Sequence, residues 1–122
     1  MDTTESNNEF LIVWQPEKAI ARLGGEKSLI HKLAVLFVRD SPDLITTIKN
    51  GIRLKHYDGA FTALHSLQGT SANFYASIFE AECAHLQQEL KSNNWEEAEI
   101  SFDELAKCYA ELEKELMIFI AN

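Results

Sequence analysis

Most of the chain repeats its apolar residues at spacings of three and four, the period that places side chains on one face of an α-helix. Outside an ambiguous apolar run at 10–14, no segment alternates with period two over a strand's length. The pattern therefore predicts an all-α fold, an up-down-up-down four-helix bundle. The repeating inward positions of the four long segments are Ile30, Leu33, Phe37, Leu44, Ile48 and Ile52; Ala60, Leu64, Leu67, Ser71 and Phe74; Phe79, Cys83, Leu86 and Leu90; and Ala98, Phe102, Leu105, Tyr109, Leu112, Leu116 and Phe119.

Short polar stretches separate these segments. The Asp-Ser-Pro-Asp sequence at 40–43 interrupts the first segment, and since proline removes a backbone donor and clashes with the preceding turn, one kinked helix or two helices fit residues 26–54. We favour the kinked helix. The residues at 56–59 predict the next turn, and Ser-Asn-Asn at 92–94 predicts the last one.

The beginning of the chain differs from the rest. Residues 1–9 lack apolar periodicity and predict a disordered tail or linker, which leaves one domain over 10–122. The run at 10–14 has no second strand to pair with, so we expect it to pack against the bundle. Pro16 then opens a short helix that ends at the Gly-Gly pair 24–25 and packs on the bundle.

Composition narrows the class of protein. The 122 residues are 46% apolar and 25% charged, as in ordinary soluble domains. A net charge of −8 argues against nucleic acid as a partner, because phosphate binding needs Lys and Arg. The polar N-terminus is unlike a signal peptide and no apolar run is long enough for membrane insertion, so we expect a cytoplasmic protein. Cys83 and Cys108 lie within apolar-periodic segments, which predicts two buried thiols of a reducing compartment.

One of the four histidines, His65, has distinctive neighbours. It follows the inward-facing Leu64, so its ring lies about 100° around the helix from the buried stripe, where it is held but reachable. Gly69 stands four residues later. Because helical side chains lean toward the N-terminus, this glycine leaves the space over His65 open, at a cost of about 1 kcal/mol relative to alanine. The alternative is a glycine retained for close helix packing.

The segment 63–74, Ala-Leu-His-Ser-Leu-Gln-Gly-Thr-Ser-Ala-Asn-Phe, resembles the phosphoacceptor segment of histidine phosphotransfer domains, usually His-x-Leu-Lys-Gly followed by small residues. Residues 16–25 resemble the family's leading short helix with its Leu-Gly-Gly ending, and 37–44 resemble its Phe-x-x-x-x-Pro-x-Leu helix. Gln87 follows a leucine where the family has Glu or Gln. The resemblance extends over about 13–119.

The resemblance implies a phosphocarrier with neither kinase activity nor a cofactor of its own. A receiver domain that carries phosphoaspartate and Mg²⁺ would dock over His65 and pass its phosphoryl group to Nε2, and His65 would pass it to the aspartate of another receiver. Since a histidine ring is mostly neutral at pH 7, its nucleophilic nitrogen needs no dedicated base. Gln87 is the candidate to hydrogen-bond Nδ1, with a solvated surface glutamine as the alternative. The implied partners are response-regulator receiver domains and a hybrid sensor histidine kinase, and we expect a monomer.

Two residues depart from the family's pattern. Gln68 stands where the family usually has lysine, so a cation near the phosphoryl group is missing. Tyr75 stands where glycine is common at the following turn, and we expect Asn73, which tolerates the left-handed conformation better than most residues, to end the helix there instead.

Two other functions fit parts of the sequence. Glu82 and His85 have the Glu-x-x-His spacing with which di-metal helical bundles direct two ligands inward, but those bundles need a pair of such motifs and we find one. A helical adaptor that binds a receiver or kinase without being phosphorylated is the second, with Gln68 as its best support.

Overall fold

The computed structural model describes residues 12–122, so the predicted tail at 1–9 and the first residues of the apolar run lie outside the described residues. Helices are the regular elements of the described part of the chain, as the apolar period predicted. They are α1 (Pro16–Arg22), α2 (Lys27–Arg53), α3 (Tyr57–Ser71), α4 (Ser77–Lys91) and α5 (Trp95–Ala121), with a 3₁₀ turn, Ala72–Phe74, directly after α3.

The four long helices form a bundle in which each packs against two others. Helix α2 contacts α3 and α5, and α4 contacts the same two helices from the other side. Short connections join successive helices, which therefore run in opposite directions. Helix α1 packs against α2 and the 3₁₀ turn. The predicted bundle with a short N-terminal helix packed on it is confirmed. None of the helices over 12–122 is long and apolar enough to cross a membrane.

Most of the inward positions that the period predicted are buried in the core, whereas Leu33, Leu44 and Phe119 are only half-buried. Leu64 and Leu67 of α3, Leu86 of α4 and Leu112 of α5 are each 0% exposed. Trp14, just before α1, is also buried. Its ring packs edge-on against Phe74 and Phe119, with centroids 5.9 and 5.0 Å away. The described end of the apolar run therefore packs against the bundle, as expected.

Helix α2 continues through Pro42, so the single helix is the correct alternative of the two. The buried hydroxyl of Ser41 donates to Tyr109 of α5 at 2.7 Å, and Tyr109 donates to Glu113 at 3.0 Å. Burial raises the pKa of Tyr109 to about 12. These contacts fasten α2 to α5 beside the position where proline removes a backbone hydrogen bond.

The turn between α2 and α3 differs from the prediction. It comprises residues 54–56, in which Lys55 is left-handed with φ 55°, and α3 begins at Tyr57. The expected turn at 56–59 is therefore wrong. Tyr57 stacks on Phe61 one helical turn later, with centroids 5.3 Å apart, a contact typical of residues four apart on a helix.

The end of α3 also differs from the prediction. Tyr75, with φ 52°, takes the left-handed conformation, whereas Asn73 lies in the 3₁₀ turn and donates from its side chain to the carbonyl of Thr70 at 3.2 Å. The expectation for Asn73 is therefore wrong. The reason is Phe74, which is 0% exposed, because the chain stays helical until this ring has entered the core and reverses only afterwards.

Both cysteines are free thiols, and the predicted burial is confirmed for Cys83 but not for Cys108. Cys83 of α4 is buried in the core, and burial raises the pKa of its thiol to about 12. Cys108 of α5 is half-buried, and its thiol pKa is also raised by burial. These thiols are therefore protonated at neutral pH and behave as apolar packing groups.

Candidate functional site

His65 lies near the middle of α3 with its side chain exposed to solvent. Its neighbours Leu64 and Leu67 are 0% exposed and hold this part of α3 against the core. The histidine is therefore placed on a fixed backbone while its ring is open to an approaching molecule.

The other three histidines occupy different settings. His31 is half-buried, and its Nε2 lies 3.0 Å from the carbonyl oxygen of Ile120, which ties α2 to the end of α5. His85 of α4 lies 3.6 Å from the Glu89 carboxylate, an ion pair if the ring is protonated. His56 is the residue that precedes α3. His65 and His85 are both exposed in the middle of a helix, but His85 lies against the Glu89 carboxylate, whereas the ring of His65 has no such partner among residues 12–122.

Two helical glycines, Gly51 and Gly69, have different surroundings. A Cβ at Gly51 of α2 would lie 2.8 Å from the Cβ of Ala60, so this glycine allows α2 and α3 to touch. A Cβ at Gly69 would have no heavy atom within 4 Å. Close helix packing therefore does not explain Gly69, and the space beside it on α3 is open.

Gln68 and Gln87 contact each other across the interface between α3 and α4. Nε2 of Gln87 donates to Oε1 of Gln68 at 2.5 Å, and both side chains are half-buried. The expected hydrogen bond from Gln87 to Nδ1 of His65 is not formed among the described residues, because Gln87 binds the neighbouring amide instead. The departure at position 68 explains this arrangement, since glutamine offers an acceptor oxygen to Gln87 whereas lysine has only donors.

Phe61 of α3 and Lys91 of α4 meet on the side of α3 where Gln68 contacts Gln87. Neither residue was identified from the sequence as part of the site. Phe61 precedes His65 by one helical turn and is half-buried. Lys91, the last residue of α4, places its ammonium over the Phe61 ring, 5.8 Å from the centroid. Lys91 also follows Gln87 by four residues, a spacing that places both on one face of α4 and could have identified the lysine.

An apolar groove lies on the opposite side of α3, where this helix meets α2. Its volume is about 200 Å³, and its surface is mostly carbon. Leu36, at its rim, is 42% exposed. The sequence did not reveal this groove, because it forms only where two helices pack. We call it the α2–α3 groove, and its lining residues are Leu33, Leu36, Phe37, Asp40, Ser41, Leu44, Thr70 and Asn73.

The Glu82 and His85 pair of the metal alternative is not assembled into a metal centre. His85 faces Glu89 rather than Glu82. Over residues 12–122, no group of three or more His, Cys, Asp or Glu side chains is placed to hold a metal ion.

Comparison with protein families shows that the Hpt domain model matches residues 32–115. The matched region begins in α2 and ends in α5, so it includes His65, Gln68, Gly69 and Gln87. Comparison with curated proteins and with solved structures gives no match. Because the match extends over more than half of the chain, the protein belongs to the Hpt domain family and is a histidine phosphotransfer intermediate of a phosphorelay, without kinase activity, that interacts with receiver domains of two-component systems.

Proposed function

We propose that His65 is the phosphoacceptor of this domain. Its Nε2 lone pair attacks the phosphorus of a receiver's phosphoaspartate, the N–P bond forms as the bond from phosphorus to the aspartate oxygen breaks, and the electron pair of that bond leaves with the carboxylate. The reverse reaction delivers the phosphoryl group to a second receiver. The observation that carries the proposal is the exposed ring of His65 one helical turn before the open space at Gly69, on a helix that Leu64 and Leu67 anchor in the core.

Three neighbouring residues support this role in different ways. Gly69 leaves an open surface on which the receiver approaches the ring. Gln68 has its oxygen occupied by Gln87, so its amide nitrogen is the group available to donate to a phosphoryl oxygen. Gln87 therefore acts on the site through Gln68, as a positioning residue. The chain needs no cofactor of its own, since the Mg²⁺ belongs to the receiver.

The α2–α3 groove is the proposed contact surface for the receiver. It is apolar and open, and it borders the same exposed face of α3 that carries His65. A partner of ordinary interface size, about 800 Å² on each side, would cover the ring and the groove together. Leu36 at the rim would then become buried in an apolar centre surrounded by polar residues, as is usual for such interfaces.

The packing of the bundle and the two thiols support proposals for the oligomeric state and the compartment of the protein. The four long helices bury their apolar faces against one another within one chain, which supports a monomer. Two free thiols support a reducing compartment, the cytoplasm. In this proposal the phosphoryl donor is the receiver domain of a hybrid sensor histidine kinase. The phosphoryl acceptor is the receiver domain of a response regulator.

Incubation with a receiver that has been phosphorylated with labelled phosphate tests the proposal. The wild-type chain should acquire acid-labile, base-stable label, and His65→Gln should acquire none while keeping its helical circular dichroism, because an exposed ring contributes little to stability. His85→Gln is the matched control, since His85 is also exposed on a helix, and it should be labelled normally. Undiminished labelling of His65→Gln would refute the proposal.

A further inference from the structure

We propose that Lys91, at the end of α4, supplies the positive charge to phosphorylated His65 that Gln68 does not provide. The proposal rests on His65 being the phosphoacceptor. A phosphoryl group adds up to about two negative charges at pH 7. The chain already carries a net charge of −8, so a nearby cation favours the phosphorylated form.

Position 68 cannot supply this charge. The glutamine is neutral, and its oxygen is held by Gln87. Its remaining amide group donates an uncharged hydrogen bond, about half as strong as one from an ammonium. A cation that compensates the phosphoryl charge would therefore have to belong to another residue within reach of the ring.

Lys91 lies on the correct side of α3. Phe61 and His65 are four residues apart, so their side chains are neighbours on one helix surface with Cβ atoms about 6 Å apart. Because helical side chains lean toward the N-terminus, the imidazole extends toward Phe61. The ammonium of Lys91 stands over the Phe61 ring, 5.8 Å from its centroid. Rotation about the flexible lysine stem can bring it to a phosphoryl group on His65 without any movement of α4.

Lys91 is also available for this role. The ion pairs among the described residues join Arg39 to Asp40, His85 to Glu89 and Lys107 to Glu104, so Lys91 has no carboxylate partner there. The other two lysines that lie over aromatic rings contact rings outside α3, Lys18 over Tyr75 after the 3₁₀ turn and Lys27 over Phe119 of α5. The Phe61 ring thus holds Lys91 in a weak contact that a phosphoryl group can replace.

Direct chemical phosphorylation tests Lys91 without a receiver. Phosphoramidate would be used to phosphorylate His65, and the ³¹P resonance of the product would be titrated with pH. A nearby ammonium stabilises the dianion, so Lys91→Gln should raise the pKa of the phosphoryl group by about 0.5, with the difference shrinking as salt is added. Lys91→Arg should titrate like the wild type. Lys107→Gln is the matched control, because it removes the same charge from an exposed site on α5, the helix diagonal to α3, and it should change nothing.

A second measurement uses the receiver. At low ionic strength, Lys91→Gln should move the partition of labelled phosphate about threefold toward the receiver, whereas Lys107→Gln should leave it unchanged. If His65 is phosphorylated and Lys91→Gln titrates and partitions as the wild type does, the role of Lys91 is refuted and that of His65 stands. If neither phosphoramidate nor the receiver phosphorylates His65, both proposals are refuted together.

Discussion

The two sides of α3 are built from different chemistry. The side facing α4 carries His65 and a row of polar or charged contacts, with Gln87 bound to Gln68 and Lys91 over Phe61. The side facing α2 carries the apolar α2–α3 groove. Gly69 lies between the two sides on the exposed face. The proposed phosphoacceptor and the proposed contact surface for the receiver therefore lie on different sides of one helix, so that each can be changed separately.

The largest effect on phosphoryl transfer is expected from filling the open space at Gly69, which lies between the two sides of α3. Gly69→Leu should reduce phosphoryl transfer on the order of 100-fold, because the leucine would lean over His65 and displace the receiver from the reacting geometry. Gly69→Ala is the control for helix propensity, since its Cβ meets nothing within 4 Å. It should raise the free energy of unfolding by up to about 1 kcal/mol and slow transfer far less. Both rates are measured by single-turnover labelling. A normal rate for Gly69→Leu would mean that the open space has no part in docking.

A smaller effect is expected on the contact side. Leu36→Asn should weaken receiver binding about fivefold, because burial of an exposed leucine surface contributes about 1 kcal/mol, and titration calorimetry measures the change. Leu54→Asn makes the same substitution at the turn between α2 and α3, where the side chain is 71% exposed, and should bind normally. Equal affinities for the two variants would place the receiver on another surface and remove the contrast between the two sides of α3.

The smallest effect is expected at position 68 on the chemical side. Gln68→Lys adds a cation near the phosphoryl group and should move the phosphate partition about threefold toward His65, since an exposed pair of charges about 4 Å apart contributes on the order of 1 kcal/mol or less. The shift should shrink as salt is added. The partition of labelled phosphate at low and high ionic strength measures it. No shift at low salt would show that residue 68 points away from the phosphoryl group.

The sequence alone predicted the elements that depend on local rules. The spacing of Leu64, Leu67 and Ser71 marked the buried face of α3, and the same spacing fixed His65 at the edge of that face. The Gly-Gly pair after α1 was predicted as a helix end, and both glycines have positive φ, at 80° and 83°. The face of a helix on which a side chain lies follows from a constant rotation of about 100° per residue, so it can be predicted without knowing where the other helices are.

Predictions that depended on a second segment were less successful. Gln87 was expected to bind His65, but the structure gives it Gln68 as a partner. Asn73 was expected to take the left-handed conformation on intrinsic preference, but Tyr75 takes it because Phe74 must first reach the core. In both cases the expected type of feature is present, a hydrogen bond from Gln87 and a left-handed residue after α3. Contacts elsewhere in the bundle determined which residue takes part in it.

The sequence by itself determined the all-α class, the order of the helices, their buried faces and the exposed place of His65, because each depends on the period of one segment. Only the tertiary structure decided that Lys91 lies beside Phe61, that Gln87 holds Gln68 and that an apolar groove opens between α2 and α3. These contacts depend on how far each helix is rotated and shifted against its neighbour. Packing of the whole core sets that rotation and shift, and no single segment encodes it.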